Sequence, residues 1–138
     1  MGQLEFLARG VPNVFRERSR LRDWLFRVAK EHGQEIVELS YVLLSDEAMI
    51  EYNRRYLGHD DYTDVITFDL SKGVGIRGEV LMSLPRIREN ASAFCVPQQH
   101  ELRRVMVHGL LHLLGHSDKK PSERKAMSAS EDACLKLY

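Results

Sequence analysis

Thr63-Asp64-Val65-Ile66-Thr67-Phe68-Asp69-Leu70, then Ser71 to Gly75, then Gly78-Glu79-Val80-Leu81-Met82-Ser83, is the stretch that decides the fold class. Residues 63–70 are rich in β-branched and aromatic side chains, which suit a pleated, half-buried surface. Ser71 to Gly75 reads as a turn, so residues 78–83 pair back as a further strand. Upstream, Ile36 to Leu44 reads as a central strand and Gln3 to Leu7 as a short first one. Residues 16–31 carry Leu21, Trp24, Leu25 and Val28 at helical spacing, with Gly33 as the stop. Ser45-Asp46-Glu47 opens a helix with Ala48, Met49 and Tyr52 on its apolar side, running to about Tyr56, and Gly58-His59-Asp60-Asp61 is a loop. Pro85 suits the first turn of a helix holding Ile87 and Ala91, and Pro97 opens a longer helix that reaches Leu114 and stops at Gly115. Pro121 starts a last helix with Met127, Cys134 and Leu137. The order β-α-β-α-β-β-α-α-α predicts an α+β fold, a mixed sheet of about four strands with helices packed on it.

The chain's 138 residues, without repeats or a Pro/Gly/Ser linker, predict a single domain over residues 1–138. A composition of 43% hydrophobic and 29% charged residues excludes a disordered or fibrous chain. Twenty basic side chains against twenty acidic ones exclude a histone-like nucleic-acid binder and an acidic tail. The balance is uneven: residues 36–70 hold two basic and eight acidic side chains, residues 71–138 eleven and seven. An anion-attracting surface should therefore draw mainly on the C-terminal half. No apolar run approaches the roughly 20 residues that cross a bilayer. Met-Gly-Gln-Leu-Glu-Phe lacks the pattern of a signal peptide. Cys95 and Cys134 show no metal or redox spacing and read as free intracellular thiols. The expectation is a cytoplasmic protein that makes no use of a membrane.

Chemistry concentrates in Val107-His108-Gly109-Leu110-Leu111-His112-Leu113-Leu114-Gly115-His116-Ser117-Asp118. His108 and His112 are four apart, so on a helix both rings leave one face and can share a cation. Their neighbours Val105, Met106, Val107, Leu110, Leu111, Leu113 and Leu114 are apolar, which describes a buried helix. Buried imidazoles there are costly unless hydrogen-bonded or metal-bound. Gly115 lets the chain turn and bring His116 or Asp118 back as a third ligand at the end of that helix. Three protein ligands with an open position describe a catalytic metal site. The spacing H-x3-H-x2-G-x2-D is also similar to that of the metzincin peptidases, but the glutamate that a peptidase of this type needs after the first histidine is Gly109. A mid-helix glycine costs about 1 kcal/mol relative to alanine, so a substrate or a packed strand should require its small size.

Asn53-Arg54-Arg55-Tyr56, Thr63-Asp64-Val65-Ile66-Thr67-Phe68, Gly78-Glu79-Val80-Leu81-Met82-Ser83, Arg88-Glu89-Asn90-Ala91 and the HGLLHLLG helix of residues 108–115 together resemble the YbeY family of metal-dependent, single-strand-specific endoribonucleases. The resemblance spans residues 46–118 and implies an α+β fold, one divalent metal ion (zinc), and a role in ribosomal RNA maturation and ribosome quality control. Single-stranded ribosomal RNA and ribosomal components are the partners it implies. The family's commonest ending is Gly-Tyr-Asp-His, and its last histidine, the third ligand, aligns here with Asp118. A carboxylate can replace it, so the expected ligands are His108, His112 and Asp118, with His116 as the rival. The arginine that follows the Tyr56 position in the family, and engages phosphate there, is Leu57 in this chain. Arg55 is the candidate substrate contact, beside Arg54, Arg88, Arg103 and Lys119 as other places for that role.

The resulting expectation is a hydrolase that cleaves single-stranded RNA, with the catalytic proton acceptor left open among the metal-bound hydroxide, His116 and the substrate. Tyr56, Tyr62 and Phe68 are the aromatics near such a site, and stacking on aromatics is how single strands are commonly held. Asp64 is expected to face away from Thr63 and Val65 along its strand, and Met127 and Glu131 of the last helix are expected to supply packing and a salt bridge respectively. Two alternatives stand beside the nuclease: a metallopeptidase or other metal-dependent hydrolase, and a non-catalytic ribosome-associated factor stapled by its metal.

Overall fold

The computed structural model describes residues 2–58 and 63–138; most of the loop predicted at 58–61, with His59, and Tyr62 lie outside the described residues. The elements are β1 (Gln3–Ala8), α1 (Arg18–Glu31), β2 (Ile36–Leu44), α2 (Asp46–Tyr52), a π-helical turn (Asn53–Leu57), β3 (Val65–Asp69), β4 (Ile76–Ser83), α3 (Leu84–Ala93), α4 (Gln98–Leu113) and α5 (Pro121–Leu135). The strands form one mixed sheet in the order β1-β2-β4-β3. β1, β2 and β4 run parallel, and β3 pairs antiparallel with β4. Parallel neighbours need a crossover between them, which α1 supplies from β1 to β2; the tight turn after β3 forces the antiparallel pair. The expected α+β architecture is the one observed.

Side-chain alternation divides the sheet into two faces. Leu4 and Phe6 of β1, Leu39, Tyr41 and Leu43 of β2, and Val80 and Met82 of β4 join the main core, together with residues of α1, α3, α4 and α5. Val42, Leu44, Ile66 and Leu81 point the other way and pack a smaller cluster with Met49 of α2.

Two serines start helices as their residue type suggests. The Ser45 Oγ accepts from the Ala48 N–H, and the Ser83 Oγ accepts from the Arg86 N–H while donating to Asp46 Oδ1 at 2.6 Å. Three of the boundaries that differ from the sequence reading have a visible cause. The helix expected to reach Tyr56 widens into the π-helical turn after Tyr52, and Gly58 ends it with φ of 69°. β4 begins at Ile76, whose N–H donates to the Glu35 carbonyl at 2.8 Å, so pairing with β2 starts earlier than local composition suggests. β3 begins at Val65, and Asp64 lies in a bend whose carbonyl accepts from the Ser83 N–H at 3.0 Å.

The placement of α4 matters most for function. The buried Tyr41 hydroxyl donates to the Met106 carbonyl at 2.9 Å and ties the middle of α4 to β2. Gly109 lies against Val80 of β4: a Cβ added there would stand 2.7 Å from one Val80 methyl and 3.0 Å from the other. Across the same contact, a Cβ on Gly78 would meet the Phe68 carbonyl oxygen at 2.7 Å and Leu113 at 3.0 Å. A packed strand is thus what requires the glycine in mid-helix. Alanine at 109 gains about 1 kcal/mol of helix propensity, whereas overpacking against a side chain stiff at χ1 costs about 1–3 kcal/mol. Gly109→Ala is therefore expected to lower the urea-unfolding free energy by up to about 2 kcal/mol, and adding Val80→Ala should relieve the clash. A stability rise in the single variant would contradict this packing.

Candidate metal centre

Glu101, Val105, His108 and His112 recur at helical spacing and share one face of α4. Asp64, Val65, Glu101, Arg104, His108, Asp118 and Glu131 line a small cavity along that face, walled by the start of β3 and by α5. Gly115 ends α4 with φ of 100°, and the chain turns back so that Asp118 reaches both histidines.

Three atoms converge. His108 Nε2 and His112 Nε2 are 3.1 Å apart, and Asp118 Oδ2 lies 3.4 Å from the first and 3.3 Å from the second. The other ring nitrogens are already engaged. His108 Nδ1–H donates to Glu131 Oε2 at 2.6 Å, and His112 Nδ1–H donates to the His116 carbonyl at 3.1 Å. Because a carboxylate and a carbonyl only accept, these bonds place the proton of each neutral ring on Nδ1 and leave its Nε2 with a lone pair. Two imidazole nitrogens and a carboxylate oxygen then face one another, an arrangement that a bound cation, or in its absence a proton on one ring, satisfies. Zinc–nitrogen bonds of about 2.0–2.1 Å in a tetrahedron imply ligand-to-ligand distances of about 3.3 Å, which the observed triangle matches. The group His108, His112 and Asp118 could hold one metal ion.

The surroundings are strongly anionic. Burial alone would lower the pKa of His108, but the hydrogen bond and charge of Glu131, with Asp118 and Asp64 behind them, outweigh it and raise the pKa. Burial raises the carboxyl pKa of Asp64. Burial also raises that of Glu101, reinforced by the charge of Asp64 and opposed by Arg104.

The His116 ring sits apart from the triangle, edge-on to His32 with centroids 5.4 Å apart, and contributes its backbone carbonyl. Asp64 does not follow the strand alternation expected of it: it precedes β3 and lines the cavity together with Val65, and its Oδ2 accepts from Asn90 Nδ2 at 3.4 Å. Arg55 is exposed on the π-helical turn, beside a depression lined by Ala48, Glu51, Tyr52 and Tyr56. Tyr56 is 55% exposed, and its ring stacks on Tyr52 and meets Phe68 edge-on. Of the other candidate cations, Arg88 bonds Gln98 and Arg103 lies over the Tyr138 ring. The arginine that does line the cavity is Arg104, absent from the sequence candidates; its Nη1 donates to Glu131 Oε1 at 2.8 Å. A clue lay in the spacing of Met127, Glu131 and Cys134, which places Glu131 on the buried face of α5.

A mixed α+β sheet carrying a two-histidine, one-carboxylate centre at the end of a buried helix defines a class of candidate metalloproteins. The profile of the family described as Endoribonuclease YbeY matches residues 13–138, and the chain belongs to that family. Among its relatives, Endoribonuclease YbeY of Phocaeicola vulgatus is 46% identical over 114 residues, covering 83% of each chain. Endoribonuclease YbeY of Cytophaga hutchinsonii is 45% identical over 123 residues, covering 88% of this chain and 86% of that one. The solution structure of a Thermotoga maritima protein superposes with a TM-score of 0.68 at 24% identity, covering 98% of this chain and 88% of that one, and shares the fold.

Glu101 supplies a test of the cavity's electrostatics. A carboxyl whose pKa is raised by folding costs stability while ionised, and the cost disappears as pH falls through the folded-state value towards the unfolded one. Glu101→Gln is accordingly expected to raise the melting temperature at pH 7, and the gain should shrink on acidification and vanish below about pH 4. A gain independent of pH would contradict the assignment of the effect to a buried charge.

Proposed function

We propose that this chain is a metal-dependent endoribonuclease that cleaves single-stranded RNA, with one zinc ion held by His108, His112 and Asp118. The observation that carries this reading is the triangle of Nε2, Nε2 and Oδ2 at 3.1–3.4 Å, in a chain of the YbeY family. When bound, such an ion supplies Lewis acidity for phosphodiester hydrolysis. The relatives' description as endoribonucleases supports RNA as the substrate. The proposal extends to ribosomal RNA as the natural target, to ribosomal components as partners, to a part in ribosome maturation and quality control in the cytoplasm, and to residues 1–138 acting as one domain. No helix among the described residues is long and apolar enough to cross a membrane.

The protein's own groups divide the work. His108 and His112 present lone pairs fixed by their Nδ1 bonds, and Asp118 adds the anionic donor. Gly109 packs against Val80 and carries no side chain to accept a proton, which removes the general base of a zinc peptidase and disfavours that reading. On the far side of edge strand β3, the Arg55 guanidinium pairs with a phosphate and the exposed Tyr56 ring stacks on a base, Tyr52 and Phe68 holding it in place.

Labelled single-stranded and duplex RNA, incubated with zinc-loaded protein, with chelator-treated protein and with His112→Ala, test the proposal. Cleavage should be confined to the single strand and be lost with the chelator and in the variant. Equal cleavage by His112→Ala, or none by the loaded wild type, would overturn it. Arg55→Ala should raise KM about fivefold with kcat little changed, as befits an exposed charge pair worth about 1 kcal/mol.

A further inference from the structure

We propose that Glu131, held by Arg104, is a positioning residue that sets the ring orientation and the proton-bearing nitrogen of His108, and with them the metal affinity of the site. The inference rests on the reading of His108, His112 and Asp118 as a metal centre, and it extends that site from its ligands to the contact between α4 and α5 that supports one of them.

Both oxygens of Glu131 are committed. Oε2 accepts from His108 Nδ1 at 2.6 Å and Oε1 from Arg104 Nη1 at 2.8 Å, on a residue only 6% exposed. The second arm of the Arg104 fork goes to Asp132, so two successive acidic residues of α5 fix the guanidinium. Asp64, Glu101 and Asp118 line the same cavity, and a buried carboxylate among three others is costly without a paired cation. Arg104 supplies it. The two histidines are therefore held by different means. His112 donates to a backbone carbonyl, which no side-chain substitution removes, whereas the tautomer of His108 depends on one glutamate. Hydrogen-bonded partners of this kind orient a ligating imidazole and raise its basicity.

The geometry also says why the residue must be a carboxylate. An amide at 131 offers one acceptor where two donors point at it. If its oxygen faces His108, its NH2 opposes Arg104. If its oxygen faces Arg104, its NH2 donates to His108 Nδ1, which moves the ring proton to Nε2 and removes the lone pair from the triangle. Either outcome weakens the site, and neither deletes a ligand.

Zinc affinity by competition with a chromophoric chelator, and the absorption spectrum of the cobalt(II)-substituted protein, read this directly. Wild type, Glu131→Gln, Glu131→Asp and His112→Ala are compared, with the melting of each metal-free protein measured alongside. Glu131→Gln should bind zinc 10–100-fold more weakly, the loss typical of such supporting groups, with an altered cobalt spectrum. Glu131→Asp, which keeps two acceptors, should recover part of the affinity. Should Glu131→Gln fail to fold, Arg104→Gln is the second variant, expected to weaken binding about threefold to tenfold by freeing the glutamate. A folded Glu131→Gln or Arg104→Gln that binds zinc within twofold of wild type, with an unchanged cobalt spectrum, overturns the proposal and leaves the pair as a helix-docking salt bridge only. Undiminished zinc binding by His112→Ala would instead overturn the metal-centre reading and the proposal with it.

Discussion

The close approach of α4 to β4 is the constraint on which the rest of the structure depends. Gly109 lets the helix backbone settle onto Val80, Gly78 leaves room for Leu113, and the Tyr41 hydroxyl fixes the helix lengthwise through the Met106 carbonyl. Protein interiors are packed too tightly for a helix to sit at an arbitrary height, so these contacts set where α4 lies. The face that bears Glu101, His108 and His112 is thereby turned towards the start of β3 and towards α5. A single glycine thus removes the general base expected of a zinc peptidase and brings the histidine helix down onto the sheet.

Around that helix the protein gathers more negative charge than its zero net charge suggests. Asp64, Glu101, Asp118 and Glu131 line one cavity, and Arg104 is the arginine among its lining residues. Such a site attracts a cation for electrostatic reasons before any ligand preference operates. The basic side chains that stand exposed lie elsewhere. The arginine in the cavity is committed to Glu131 and Asp132, while Arg55 stands exposed on the π-helical turn, across the edge strand.

What could be read from the sequence was what local spacing determines. The β-branched run around residues 65–69, the helical periodicity of Leu21, Trp24, Leu25 and Val28, and the serine and proline starts of the helices all lie within a few residues of the structure they specify. The i, i+4 pair of His108 and His112 was legible for the same reason. The change from α-helix to π-helical turn after Tyr52 was not, because one extra residue per turn leaves no mark in a short apolar pattern. The early start of β4 depends on the Glu35 carbonyl, some forty residues away in the chain. Asp64 misled the alternation argument because the strand begins only after it. Arg104 and Glu131 are 27 residues apart, and only the docking of α5 on α4 brings them together. The choice of Asp118 over His116 turned on how the chain reverses after Gly115, which a family resemblance could suggest and local spacing could not.

The central claim is that two histidines and an aspartate form the metal centre, with His116 giving only its backbone. The most direct measurement is the anomalous difference density of a crystal of the zinc-loaded protein, recorded at the zinc edge. The account predicts one peak within about 2.0–2.2 Å of His108 Nε2, His112 Nε2 and Asp118 Oδ2. A peak bonded to the His116 ring in place of Asp118, or one elsewhere on the molecule, would contradict it.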